Sequence, residues 1–370
     1  MVIRFLFAAV VALILVPISL RAEDEIKVGV MTHLTGDFAA WGQAYVQGIT
    51  LAQENINNSG GVKGRRISLT VEDTRFDSAL TASATKKLLK VDRVPVAMVS
   101  TFTEVMVAGP MFEQAKVPLL VFGDSGGKIQ DIGKFIFSTG TWVDGYALSA
   151  SEFLHSQLRI KKVAIIATNN AWAQSTADNF RKDFEQHGGM IAFRSDLNPS
   201  DSDFRTILQK IRADKIEAIF APITSNVIPF FEQSRNLKLQ IPIVAAGGAL
   251  DVDVINAAPE AVEGRYVTNA FLDSERPQAK DLLARYRRKF NQDPMYPSVI
   301  GRGYDGLMAI ALALKNAPGD SSEALCEALR HLDFEAAGFR LKVDATGTAR
   351  LPVEVLQVRN GHLEVAKKDA

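Results

Sequence analysis

The chain has 370 residues, with 42 basic and 42 acidic side chains and a formal net charge of zero. No basic excess exists to release counterions from a nucleic acid, and nothing favours an anionic membrane surface. Apolar residues make up 47% of the chain, which at this length is enough for two domain-sized cores.

Arg4 precedes an apolar run over residues 5–20, interrupted by Pro17 and Ser19. The run falls short of the roughly 20 residues that a spanning helix needs. Ala22 offers a small residue for cleavage, although Leu20 is an imperfect companion two positions earlier. Residues 1–22 therefore read as a secretory signal peptide and the mature chain as periplasmic, with an uncleaved membrane anchor as the alternative. No Cys follows the apolar run, so lipid attachment at a new amino terminus is not available. The single Cys, Cys326, leaves an exported protein without an internal disulfide. It falls in a helical run over 322–332 and is expected to pack as a small hydrophobe.

Strand and helix signals then alternate. The run Ile26-Lys27-Val28-Gly29-Val30-Met31 predicts a strand. A polar loop over 32–37 leads to Trp41-Gly42, and a helical period of Tyr45, Ile49, Leu51, Ala52 and Ile56 ends at 57–61. A strand over 67–71 completes a βαβ unit. Strands follow at 94–99, 117–122 and 135–137, and a helix from 144 to about 158. The pattern restarts with strands at 162–167, 190–193, 218–221, 243–246 and 264–269, separated by helices at 175–187, 203–213 and 227–236. Helices at 278–290 and 304–315 and strands at 340–343 and 353–358 close the chain. Such alternation predicts an α/β protein with parallel sheets, right-handed crossovers and helices on both faces, in two doubly wound lobes. Ligands in open parallel sheets lie beyond the carboxyl ends of the strands. Trp41, in a loop at such an end, is thus a candidate pocket wall, with core filler as the alternative.

Two loops at strand ends carry candidate chemistry. Gly123-Asp124-Ser125-Gly126-Gly127 matches the nucleophile loop of chymotrypsin-like proteases and the G-x-S-x-G elbow of hydrolases. The first needs an all-β chain, the second a helix straight after the Ser, and both a His to activate it. The other reading is a Gly-rich loop whose bare N–H groups approach a ligand. Ser100-Thr101-Phe102-Thr103 stands at a helix start, where hydroxyls and free N–H groups favour a carboxylate or simply cap the helix. No phosphate loop, dinucleotide fingerprint or HExxH occurs, and the five His lack metal-ligand spacing. No cofactor and no metal are expected. His33 lies in the first loop, within reach of a ligand or exposed to solvent.

Thr35-Gly36-Asp37-Phe38-Ala39-Ala40-Trp41-Gly42, followed by Gly60-Gly61-Val62-Lys63-Gly64-Arg65 and later by Gly303-Tyr304-Asp305-Gly306, resembles the Leu/Ile/Val-type periplasmic solute-binding proteins of ABC importers. The resemblance covers nearly the whole mature chain. It implies the type I periplasmic binding fold, with two lobes joined by a three-strand hinge. Lobe one would hold 26–141 and 270–345, lobe two 142–269 and 346–368, with crossings near 139–141, 268–270 and 344–346. It also implies that a small carboxylate binds between the lobes, that hinge closure buries it, and that the closed form docks on a membrane permease.

Carried over by position, the resemblance places the ligand's carboxylate at Thr101, Thr103, Gly123 and Ser125. Trp172 mirrors Trp41 in the second lobe, where the family commonly has Tyr. Phe102 and Tyr304 add two more aromatic candidates, while Trp142 near a crossing reads as structural. The main departure is Gly247, in a stretch where amino-acid binders of the family carry an acid for the ligand's ammonium. Either Asp124 or Asp305 substitutes, or the ligand has no ammonium; Asp305 is alternatively a structural cap. The sequence thus reads as a solute-binding protein for an amino acid or an aromatic or aliphatic acid. A ligand-sensing receptor subunit and a hydrolase using Ser125 are the alternatives.

Overall fold

The computed structural model describes residues 25–366. The expected signal segment 1–22 with its cleavage site lies outside them, as do residues 367–368, the end expected for lobe two. Among the described residues no helix is long and apolar enough to cross a membrane.

Two sheets organise the chain. Glu25–Thr32 lies between Arg66–Asp73 and Val96–Val99 in a five-stranded sheet that continues through Leu119–Val121 to Ile136–Ser138, with every pairing parallel. A seven-stranded sheet runs in the order His362–Val365, Glu354–Arg359, Tyr266–Asn269, Ile243–Ala246, Ala218–Ala221, Lys162–Thr168, Met190–Leu197. Its first two strands are antiparallel additions. The parallel reading fails there because period-two alternation is the same in both ladder types. The strand expected at 340–343 joins neither large sheet: Arg340–Lys342 pairs with Asp333–Glu335 in a two-stranded ribbon.

The chain leaves the five-stranded sheet after Ile136–Ser138 for Lys162–Thr168. After Tyr266–Asn269 it comes back to lay helices on the five-stranded sheet, and it crosses a last time between Arg340–Lys342 and Glu354–Arg359. On the last crossing Asp344 Oδ1 accepts from the N–H groups of Thr346 at 2.8 Å and Thr348 at 3.3 Å, and Thr348 bridges to Ser138. This ties two crossings together.

The helices Ala39–Asn58, Pro277–Phe290, Pro297–Asn316 and Ser322–Arg330 bury Ile49, Ala52, Leu307, Ile310 and Cys326 on one side of the first sheet. The helix expected at 304–315 begins seven residues earlier, at Pro297, where the missing N–H of proline is harmless. It crosses Ala39–Asn58 at backbone contact. A Cβ on Gly48 would lie 2.0 Å from the Ile300 carbonyl oxygen, and one on Gly303 would lie 2.4 Å from that of Tyr45. Only glycine permits this approach, and it sets Tyr45 beside Arg302. A second core runs from Val105 and Phe112 beneath the first sheet to Phe180 and Phe220 beneath the other, packing the lobes together.

Candidate functional site

The loop after Glu25–Thr32 is pinned by Asp73, at the end of the neighbouring strand. Its carboxylate accepts from Leu34 N at 2.8 Å and Thr35 Oγ1 at 2.5 Å. The helix Ala39–Asn58 follows and directs Trp41 and Tyr45, one turn apart, toward the second lobe. There the chain leaves Ile243–Ala246 into a short 3-10 turn, Gly247–Leu250. Gly247 has φ +62°, and its Cβ position lies 3.0 Å from Trp172. A Cβ on Gly248 would lie 1.9 and 2.1 Å from Trp41 Cζ2 and Cη2. The indole of one lobe therefore rests on a bare α-carbon of the other.

Around this contact is a cavity of about 540 Å³, walled by Trp41, Tyr45 and Arg302 from the first lobe and Tyr146, Gly248 and Asp251 from the second. Arg302 Nη1 donates to Asp124 Oδ1 at 3.0 Å and to the Gly123 carbonyl at 3.4 Å, and its guanidinium lies 5.7 Å from the Tyr45 ring centre. Tyr146 Oη donates to the same Asp124 oxygen at 2.8 Å. Burial holds the Tyr45 and Tyr146 phenols well above their ordinary range, so both remain donors. Burial alone would lower Arg302, but Tyr45, Asp124 and Tyr146 raise it and fix its positive charge. Burial, with repulsion from Asp253 and Asp124 only partly offset by Arg302, pushes Asp251 up to about 8.

The structure brings together some of the residues singled out from sequence. Trp41 and Asp124 line the cavity. Gly123 could carry no side chain, because a Cβ would meet the Ser100 carbonyl at 2.0 Å and Tyr45 Oη at 2.6 Å. Ser125 is fully buried, and its Oγ has no hydrogen-bond partner among the described residues. Trp172 does not line the cavity; it packs behind Gly247 and meets Tyr146 edge-on at 5.6 Å, and its Nε1 has no partner among the described residues. Trp142 is buried near the first crossing under the Arg350 guanidinium, 4.5 Å from its ring centre.

Others are directed elsewhere. Thr101 caps the helix Phe102–Ala115, accepting from Glu104 N at 3.2 Å. Its hydroxyl donates to Glu104 Oε2 at 2.8 Å, as Ser100 does at 2.7 Å, and Thr74 donates to Oε1. Of the hydroxyls expected to meet a ligand's carboxylate, that of Thr101 thus serves the chain's own buried carboxylate, together with its neighbour Ser100. Burial would raise Glu104, but the nearby His33 and the hydroxyls of Thr74 and Ser100 outweigh that and hold it below the usual range. His33 is accordingly buried beside Glu104 and not exposed. Phe102 is in the second core, against Gly126, and Thr103 Oγ1 is buried without a partner among the described residues. Tyr304 lies between two helices and accepts from Asn55 Nδ2 at 2.9 Å. Asp305 accepts from Ala337 N at 2.9 Å, anchoring the 337–338 loop, and burial pushes it up to about 7.

Sequence reading missed Tyr45, Tyr146, Asp251 and Arg302. Arg302 carried a signal: a cation in the first turns of a largely apolar helix, one turn from the buried Val299 and Gly306. The T-x-x-E pattern of Thr101 and Glu104 is a capping box, which foretold where that hydroxyl points.

A family profile described as periplasmic binding protein matches residues 25–362. A leucine-, isoleucine-, valine-, threonine- and alanine-binding protein of Pseudomonas aeruginosa is 25% identical over 330 residues, 88% of this chain and 87% of that protein. A leucine-binding protein from Thermotoga maritima superposes with a TM-score of 0.85 at 23% identity, over 92% of this chain and 98% of that one. A solute-binding protein of an ABC transporter from Rhodopseudomonas palustris, solved with 3,4-dihydroxybenzoic acid, gives 0.81 at 23% identity, over 92% and 95%. The fold shared with these structures is the two-lobed α/β fold of type I periplasmic binding proteins. With the match spanning nearly every described residue, the chain belongs to the periplasmic binding protein family.

Proposed function

We propose that the protein is the extracytoplasmic solute-binding component of an ABC importer, taking a small carboxylate into the cleft between its lobes. The observation that carries this is the seating of Trp41 from one lobe on Gly248 of the other, beside a cavity walled by both. A ligand contacted by both walls stabilises the closed arrangement over the open one, which is what drives closure. Arg302 supplies a fixed positive charge, and Trp41 and Tyr45 supply apolar faces for the ligand's body. The named ligands of the relatives, small amino acids in one and 3,4-dihydroxybenzoic acid in another, are all carboxylic acids, which supports the same class here. The closed form then presents both lobes to a membrane permease.

The test is calorimetry of the exported protein against amino acids and aromatic and aliphatic acids, with small-angle scattering on any ligand that binds. Saturation should reduce the radius of gyration. Equal radii with and without bound ligand would remove hinge closure from this reading. Amino-terminal sequencing should find the mature chain beginning near Glu23; an intact Met1 in a membrane fraction would refute export as a soluble protein.

A further inference from the structure

We propose that Phe76 is a positioning residue for the interlobe cleft: its ring, carried by a strained turn, props Phe38, and Phe38 in turn holds the Trp41 indole in place. This rests on the solute-binding reading above and adds to it a side chain that lines no part of the cavity.

The turn at 74–77 joins the strand Arg66–Asp73 to the helix Ser78–Lys87. Asp77 N donates to the Thr74 carbonyl at 2.8 Å, and the two residues between them, Arg75 and Phe76, have φ of +51° and +57°. A four-residue turn with positive φ at both central positions is type I′, where Gly, Asn and Asp are the usual occupants. Every other non-glycine residue at positive φ among the described residues is a lone Lys, Arg or Asn. Phe76 is the sole apolar side chain held this way, and its neighbour is held the same way. A Cβ crowds the following carbonyl oxygen in left-handed backbone, so such a pair is disfavoured.

The surroundings impose the shape. Asp73 accepts from Arg75 N at 3.0 Å while it pins Leu34 and Thr35. Thr74 N donates to the Thr32 carbonyl at 2.9 Å, and Asp77 caps the next helix by accepting from Leu80 N at 2.8 Å. These bonds would serve equally with glycine or asparagine at the centre, so they do not account for a phenylalanine. The ring does. Its centre lies 4.9 Å from that of Phe38, and Phe38 lies 5.7 Å from Trp41 at an interplanar angle of 39°. His33 meets Phe76 edge-on at 5.7 Å and Phe38 edge-on at 6.2 Å. All four separations fall within the range where aromatic rings attract one another. His33 is itself buried beside Glu104, so the row Phe76, Phe38, Trp41 rests on a fixed imidazole. Phe38 stands at the N-cap of Ala39–Asn58 and makes no side-chain capping bond, which leaves ring contact to fix the start of that helix and the indole in its first turn. Without the Phe76 ring, Phe38 and the indole gain freedom that ligand binding must take away.

The experiment compares Phe76→Gly, Arg75→Gly, Trp41→Ala and the pair Phe76→Gly with Trp41→Ala, all in the full mature chain. Glycine suits the turn's backbone, so Phe76→Gly removes the ring without opposing the fold. Arg75 is exposed, and Arg75→Gly eases the same turn while keeping the ring. The calorimetric probes are leucine, isoleucine, valine and 3,4-dihydroxybenzoate, and the comparison uses whichever binds the wild type tightest. Phe76→Gly should weaken binding by about 2- to 12-fold, the worth of one aromatic pair. Arg75→Gly should keep the affinity within twofold and raise the urea midpoint, because strain is relieved. On the Trp41→Ala background, Phe76→Gly should change affinity less than twofold, since its effect passes through the indole. Trp142 and Trp172 are buried, so the emission of the ligand-free protein reports changes at Trp41. Phe76→Gly should shift that emission to the red, and the shift should vanish once Trp41 is replaced. The proposal is overturned if Phe76→Gly binds within twofold of wild type, if Arg75→Gly loses as much affinity or does not gain stability, if the loss persists without Trp41, or if the emission does not move. Should no probe bind the wild type, the failure belongs to the solute-binding reading, and the emission shift still decides whether Phe76 props Trp41. If Phe76→Gly does not fold, Phe76→Asn, also at home at positive φ, takes its place.

Discussion

The contact between Trp41 and Gly248 yields a sharp perturbation. Gly248, unlike Gly247, does not sit at positive φ, so alanine there meets no backbone strain. Its Cβ would, however, lie 1.9 and 2.1 Å from two indole carbons. Carbon atoms in ordinary contact stand about 3.5–4.0 Å apart. The indole must therefore withdraw by roughly 1.5 Å, and Phe38, centred 5.7 Å from it, packs against the indole. Overpacking of this kind costs about 1–3 kcal/mol. The cost falls on the closed form alone, because opening the cleft parts the two residues. Gly248→Ala should then reduce the closed population, and with it the apparent affinity, by about 5- to 150-fold. Calorimetry reads the affinity, and scattering should show a ligand-saturated variant larger than the wild type. Trp41→Ala removes the indole that clashes. On that background, itself weakened by about 1–3 kcal/mol from lost apolar contact, Gly248→Ala should have a much smaller further effect, because only the 2.8 Å approach of its Cβ to Asp251 Oδ2, at the movable end of a side chain, remains. Additive losses, or a Gly248→Ala affinity within threefold of wild type, would refute the argument that closure seats Trp41 on this glycine.

Two further substitutions probe charges that serve the fold. Glu104→Ala strips the acceptor from Ser100, Thr101 and Thr74 in a fully buried site and should cost about 3–5 kcal/mol in urea unfolding at neutral pH. The folded pKa of Glu104 lies below its unfolded value, so its contribution is present above the ordinary carboxylate range and fades as pH falls through the folded value. The gap between wild type and variant should narrow at acid pH; a gap that widens would mean the carboxyl is protonated in the native state. Asp305 behaves oppositely. Its folded value of about 7 lies above the ordinary 3.8, so the folded state alone keeps the proton between these values. Its presence therefore makes stability decline as pH rises from about 4 to 7. Asp305→Asn should flatten that part of the profile without altering ligand affinity, since the side chain holds the 337–338 loop; an unchanged slope would show that Asp305 ionises normally.

The sequence by itself determined the alternation of strands and helices, and with it the α/β class, because hydrophobic period and turn residues are local quantities. It also marked Trp41, the glycine at 123 and the buried Cys326, whose residue types admit few roles where they stand. The restart of the strand pattern near residue 162 announced a second sheet. Tertiary structure decided the rest. Whether Glu354–Arg359 runs parallel or antiparallel depends on which edge it reaches, and its alternation is the same either way. The hydroxyls of Ser100 and Thr101 are equally good donors to a ligand or to Glu104, and packing chose Glu104. Asp124 and Asp305 were both plausible partners for an amine until Arg302 and the Ala337 N–H took them. Asp251 went unnoticed because counting along the chain puts it four residues from Gly247, whereas the 3-10 turn brings its carboxyl back over Gly248. Groups meet in a site through distance in space, and that distance is written in packing, as where Gly48 and Gly303 let two helices of one lobe touch and so set Tyr45 beside Arg302, not in any stretch of sequence that contains the groups themselves.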